Sequence, residues 1–82
     1  MGAIPRELEV VVRDRFWRRC SGVVVQLCME FGEPQLAVTG RSGTVTFLVP
    51  DVARVAIVVD GVRQEFIARD EQGHVRQIAI TR

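Results

Sequence analysis

The sequence predicts an all-β domain, a sandwich of about seven short and mostly antiparallel strands. Apolar and polar residues alternate through most of the chain, which is the period of a strand, and no helical period is sustained. Fifteen of the 82 residues are Val, a β-branched residue that suits pleated strands better than helices. Turn residues separate the alternating segments at the short intervals that are typical of such folds.

Four strands are predicted before residue 50. A polar and aromatic connection separates the first from the second, Gly32-Glu33-Pro34 ends the second, and the glycine-rich turn at Gly40–Gly43 follows the third. The predicted strands are 8–13, 23–30, 36–39 and 44–49. The side chains expected to face inward are Leu8, Val10, Val12, Val23, Val25, Leu27, Met29, Val45, Phe47 and Val49.

The clearest local pattern is Val59-Asp60-Gly61-Val62. Asp-Gly between two apolar runs predicts a two-residue type I′ hairpin. With Val59 opposite Val62, the register places Ile57 opposite Gln64, so that one face of the hairpin is almost entirely apolar. A further turn at 70–73 leads into the last predicted strand, 75–81, with Ile78 and Ile80 inward.

Length and composition indicate one domain, residues 1–82, without a membrane segment, because no apolar run reaches about 18 residues. Eleven basic residues, all Arg, nearly balance ten acidic ones. Met1–Val10 contains no apolar core of a signal peptide. The Cα atoms of Cys20 and Cys28 are predicted to lie farther apart than the roughly 7 Å that a disulfide tolerates. Two unpaired thiols indicate a reducing compartment, which favours the cytoplasm.

Four segments together resemble a known architecture. The stretches 8–13, 22–27 (Gly-Val-Val-Val-Gln-Leu), 39–47 (Thr-Gly-Arg-Ser-Gly-Thr-Val-Thr-Phe) and 53–60 are similar to those of the prealbumin-like (transthyretin-like) and carboxypeptidase regulatory-like sandwiches, a small immunoglobulin-like build. The resemblance implies a docking or spacer scaffold. The Lys–Asn isopeptide bond of the related adhesin repeats is impossible here, since the chain has neither residue. The hydroxyisourate hydrolases use two His and a terminal Tyr-Arg-Gly-Ser, whereas this chain has one His, no Tyr, and the terminal residues Ile80-Thr81-Arg82.

The residue pattern contains no catalytic or metal-binding constellation. His74 is the only histidine and is expected in a turn. Neither cysteine lies in a C-x-x-C motif, and Ser21 and Ser42 lack the context of a nucleophile. We therefore expect a protein that is not an enzyme and needs no cofactor or metal.

An aromatic and arginine-rich segment connects the first two strands. Residues 13–19 contain four Arg together with Phe16 and Trp17. Trp and Arg are enriched at interaction hot spots, which predicts a binding loop formed by Arg15, Phe16, Trp17, Arg18 and Arg19. The alternative is that Phe16 or Trp17 folds back as a plug on one end of the sandwich.

Apolar residues also occupy positions that the alternation assigns to outer faces. These residues are Val11, Val24, Cys28, Leu48 and Val58. Outward apolar residues on several strands indicate a patch that a partner or a second copy covers. The alternative is a valine-rich composition that extends to the surface without function.

The sequence thus predicts a non-catalytic protein-interaction or accessory structural module that docks into a homo-oligomer or a larger assembly. Its expected binding residues are the loop Arg15–Arg19 and the outward Val11, Val24, Leu48 and Val58. The second candidate is a nucleic-acid-binding small β-barrel that uses the Arg/Phe/Trp loop, since arginines beside aromatic rings suit stacking on single strands. No membrane partner is expected.

Overall fold

The computed structural model describes residues 5–82, and every element of regular structure in this part is a strand, which confirms the all-β prediction. The strands are β1 (Arg6–Arg13), β2 (Val24–Cys28), β3 (Gln35–Val38), β4 (Thr44–Val49), β5 (Arg54–Val59), β6 (Val62–Ile67), β7 (Arg69–Asp70), β8 (Gly73–His74) and β9 (Gln77–Thr81). The described residues include no helix of the length and hydropathy that crossing a membrane requires.

The strands form two larger sheets and one small hairpin. β1 is the centre of a three-stranded sheet, antiparallel to β4 and parallel to β9. The four-stranded sheet has the order β3-β2-β5-β6, and all its pairings are antiparallel. The parallel pairing of the first and last long strands is a non-local feature that the alternation pattern does not contain.

One apolar core lies between the two larger sheets. Inward residues of β1 and β9 contribute from one sheet, and inward residues of β2 and β5 from the other, so the arrangement is sandwich-like. The buried core residues are Leu8, Val10, Val12, Val23, Val25, Leu27, Phe47, Val49, Val55, Ile57, Val59, Ala68, Ile78 and Ile80. Met29 and Val45, also predicted to face inward, are half-buried against this core. The predicted alternation therefore places the core correctly.

The β5–β6 hairpin has the predicted register. Val59 pairs with Val62, and Ile57 pairs with Gln64. Asp60 and Gly61 have φ angles of 53° and 77°, the two positive values that a type I′ turn requires. The Arg82 side chain also holds Asp60, with its Nε donating to Oδ2 at 2.8 Å.

Most predicted strands before residue 50 and the last one are shifted at an end by one or two residues. β2 ends at Cys28, where its pairing with β5 ends, rather than at residue 30. The predicted turn at 70–73 is the tip of the β7–β8 hairpin. Asp51 fixes this hairpin to the β4–β5 connection, because its carboxylate accepts a hydrogen bond from Arg69 at 3.2 Å and lies 3.8 Å from Nδ1 of His74.

Candidate interaction surfaces

The predicted binding loop is a tight turn organised by Asp14. One Asp14 oxygen, Oδ1, accepts hydrogen bonds from the amides of Phe16 and Arg18 at 2.8 and 3.0 Å. The other, Oδ2, accepts from Nε of Arg18 at 2.9 Å. The main chain closes the turn, since the Trp17 amide donates to the Asp14 carbonyl and the Asp14 amide donates to the Arg18 carbonyl. The Asp14 carboxylate thus accepts from two amides and one side chain of the turn, and main-chain hydrogen bonds complete it.

These contacts change the acidity of Asp14. Partial desolvation raises the pKa of its carboxyl group, but the hydrogen bonds from the Arg18 and Phe16 amides and from the Arg18 side chain outweigh that effect. The pKa consequently lies below its ordinary value. The turn is held by an ionised carboxylate at neutral pH.

Both aromatic rings of the loop face solvent. Phe16 is 63% exposed and Trp17 is 73% exposed, so neither plugs the core. The Arg15 and Arg18 guanidinium groups lie 5.0 and 5.2 Å from the centre of the Phe16 ring. The Arg13 guanidinium lies 5.9 Å from the Trp17 ring centre. The plug alternative is wrong, because neither ring is part of the buried core or packs against it.

Trp17 adopts a backbone conformation that is unusual for a bulky side chain. Its φ angle is 66°, in the left-handed region that costs a residue with a Cβ atom about 1–2 kcal/mol. Nη1 of Arg13 donates to the Trp17 carbonyl at 3.0 Å and supports this conformation. Such strain persists only where the surrounding structure imposes it, and it is concentrated at functional sites.

The base of the loop is fixed to the neighbouring turn. The Val12 amide donates to the Gly43 carbonyl, and the Cys20 amide donates to the Val12 carbonyl. The buried Thr39 hydroxyl donates to the Cys20 carbonyl at 2.7 Å and accepts from the Val23 amide at 2.9 Å. This anchoring role of Thr39 was missed from the sequence, because it depends on a contact between residues far apart along the chain.

The predicted outward apolar residues do not form one surface. Val24 and Val58 lie on the four-stranded sheet, whereas Val11 and Leu48 lie on the three-stranded sheet. Val11 is a correction: it is only 2% exposed, because β1 is a central strand and Val11 lies between Thr44 of β4 and Ala79 of β9. Leu48 is exposed, but it lies in the other sheet from Val24 and Val58, and four residues along β4 from the partner of Val11.

A coherent apolar surface does form on the four-stranded sheet, with two residues that were not selected from the sequence. Val24 is paired with Val38, and Gln26 lies between Leu36 and Val58. Leu36, Val38 and Val24 are 68%, 58% and 57% exposed, and Val58 is half-buried. We call these four residues the β3 surface. Their shared face became visible only once the pairing of β2 with β3 and β5 was known.

The backbone of β3 is also unpaired on one side. Thr39 donates its amide to the Val23 carbonyl, so the pairs hydrogen-bonded to β2 are 23–39, 25–37 and 27–35. The N–H and C=O groups of Leu36 and Val38 therefore point away from β2. No strand in residues 5–82 pairs with that side of β3. The exposed apolar side chains thus belong to the residues with free main-chain groups.

The end of the molecule opposite the Arg13–Arg19 loop has a shallow groove, and its turns are more acidic than that loop. The groove extends from Cys28–Phe31 across Asp51–Ala56 to Arg63 and Glu65. Phe31 is largely exposed there. Both cysteines are unpaired, and among residues 5–82 no three His, Cys, Asp or Glu side chains gather as metal ligands would.

No protein-family model matches the chain, and no curated protein is similar to it at a significant level.

Proposed function

We propose that this protein is a non-catalytic interaction module that assembles with itself through β3. The observation that carries the proposal is the coincidence of free backbone groups and exposed apolar side chains at Leu36 and Val38. An unpaired strand edge is a template for another strand, and main-chain hydrogen bonds together with adjacent side chains supply the affinity.

The two edges of the four-stranded sheet differ in a way that favours β3. The edge strand β6 carries Arg63 and Glu65, both exposed, and charged side chains are a common protection of edges against pairing. β3 has the sequence Gln-Leu-Ala-Val and carries no charge. Two β3 strands therefore approach each other without electrostatic repulsion.

A second copy fits this edge by symmetry. A two-fold axis perpendicular to the sheet at Ala37 makes the two β3 strands antiparallel, which is the simplest closed arrangement for a homodimer. Leu36 then lies opposite the partner's Val38, and these two residues exchange hydrogen bonds. The apolar side chains of both copies form one continuous strip across the joined sheets.

The finer features of the module are part of the same proposal. The two-layer arrangement and the segment pattern support assignment to the prealbumin-like or immunoglobulin-like sandwiches. The unpaired Cys20 and Cys28 favour action in a reducing compartment such as the cytoplasm. The proposed partner is a second copy of the chain.

The test uses sedimentation velocity on the full chain over a range of concentrations. We expect a concentration-dependent dimer for the native protein and a monomer for Leu36→Pro, which removes an edge N–H while leaving the β2 pairing intact. Ile67→Lys is the matched control, because Ile67 is similarly exposed on the other edge strand. It should dimerise normally. Thermal denaturation of each variant checks that the fold is kept.

Two results contradict the proposal. One is a native protein that stays monomeric at millimolar concentration. The other is a dimer that persists in Leu36→Pro but dissociates in Ile67→Lys, which would place the interface at β6.

A further inference from the structure

The loop Arg13–Arg19 has features that self-assembly through β3 does not use. It concentrates positive charge, because four of the 11 basic residues but only one of the 10 acidic residues lie in this segment. The rest of the chain contains seven basic and nine acidic residues. The loop therefore carries a local net charge of the opposite sign to that of the remaining chain. A local field of this kind steers an anionic partner to one end of the molecule.

The neighbouring segments strengthen this polarity. Nη1 of Arg19 donates to the Ser42 carbonyl, which brings the turn containing Arg41 beside the loop. The Arg82 amide donates to the Arg13 carbonyl, so the last residue lies at the same end. The two acids here, Asp14 and Asp60, already bind Arg18 and Arg82. The acids Glu30, Glu33, Asp51, Asp70 and Glu71 lie in or beside the connections at the other end.

The rings give this basic end a second property. Phe16 and Trp17 are consecutive and mostly exposed, although guanidinium groups lie near both. Flat rings beside arginines form a platform on which bases stack, while the arginines contact phosphates. The Asp14 hydrogen bonds set the turn before any ligand arrives, so little ordering is required on binding.

We propose that this loop binds single-stranded nucleic acid, at a surface separate from β3. Phe16 and Trp17 stack on bases, and Arg15 and its neighbours neutralise phosphates. An acidic peptide would satisfy the charge but would leave two exposed rings without a role. A duplex keeps its bases stacked inside and out of reach of the rings. The combination of positive charge and solvent-exposed rings therefore favours the single strand.

The test titrates the full chain with a fluorescein-labelled oligothymidine of about 15 nucleotides, which is near the upper end of the site sizes of single OB-fold domains. At low salt we expect quenching of Trp17 fluorescence and a rise in the anisotropy of the label. Trp17→Ala and Phe16→Ala should each weaken binding by about 5- to 150-fold, which corresponds to the loss of one stacked base. Arg15→Gln should reduce the slope of log affinity against log salt by about 0.7.

Phe31→Ala is the matched control, since this ring is at least as exposed as those of the loop but lies at the acidic end. The Phe31→Ala variant should bind oligothymidine with the affinity of the native protein. Three outcomes overturn the proposal: no quenching at low salt, equal binding of a duplex, or equal binding of polyglutamate. The last would identify an acidic peptide as the ligand. Sedimentation of Trp17→Ala separates this test from the β3 proposal, because the variant should still dimerise.

Discussion

The Arg13–Arg19 loop and the β3 surface are built in opposite ways. The loop is seven consecutive residues, held by its own Asp14. The β3 surface takes its residues from three strands, and only the pairings Val24–Val38 and Gln26–Val58 bring them together. A contiguous site is visible in a sequence, whereas a face made of several strands depends on strand order. The difference also means that the two surfaces can be altered independently.

The largest effect is expected where the loop rests on the rest of the fold. A Cβ atom at Gly43 would lie 2.7 Å from Cβ of Arg19 and 2.9 Å from the Cys20 amide nitrogen, and Gly43 has a φ angle of 71°. Gly43→Ala should therefore lower the free energy of unfolding by about 2–5 kcal/mol, from overpacking and the left-handed backbone together. Urea denaturation measures this loss.

Gly40→Ala in the same turn is the control. A Cβ atom there has no neighbour within 4 Å, and the change should stay within about 0.5 kcal/mol. Equal stabilities for the two variants would show that the loop does not pack against the Gly40–Gly43 turn. The loop would then not depend on this neighbouring turn for its position.

Much of the fold follows from the sequence, because strand alternation and turn chemistry are local. The core residues of β1, β2 and β5 and the register of the Asp60–Gly61 hairpin were all predictable. The parallel pairing of β1 with β9 was not, since it joins residues 68 positions apart, such as Val10 and Ile78. Nothing in either segment alone specifies that contact.

The same distinction between local and non-local features applies to the candidate sites. The exposure of the loop is one of two alternatives that the sequence leaves open, and the solvent-exposed rings of Phe16 and Trp17 decide between them. Val11 was assigned to an accessible surface because alternation gives the face of a residue but not what lies beside it. Leu36 and Val38 were missed because their importance depends on β3 being an edge strand. Strand order is the information that was lacking.

A smaller effect, of the opposite sign, is expected at Trp17. Trp17→Gly relieves a left-handed backbone that costs about 1–2 kcal/mol, and it adds about 0.5–1 kcal/mol of backbone entropy cost. The free energy of unfolding should therefore rise by up to about 1.5 kcal/mol in urea denaturation, while oligothymidine binding is weakened as in Trp17→Ala. Trp17→Ala, which keeps the strain, should not gain stability. A Trp17→Gly variant that is clearly less stable would show that the Trp17 ring stabilises the fold. The loop would then have a structural role, as the Gly40–Gly43 turn has.

The smallest effect concerns the charge of Asp14. Its pKa is lower in the folded protein than in the unfolded chain, so the folded state binds this proton less readily. The contribution of ionised Asp14 to the stability of the folded loop is fully present above about pH 4, the ordinary carboxyl pKa. It is lost as the pH falls through the lower pKa of Asp14 in the folded protein. Amide hydrogen exchange at Phe16 and Arg18 should then become faster relative to the unfolded-chain rate below about pH 4, while the β3 amides stay protected as before. Asp14→Ala, which removes the acceptor of both amides, should show the faster exchange already at neutral pH and lose the acid transition. An unchanged transition in Asp14→Ala would mean that another carboxylate controls the loop, and that the loop is not held by its own residues.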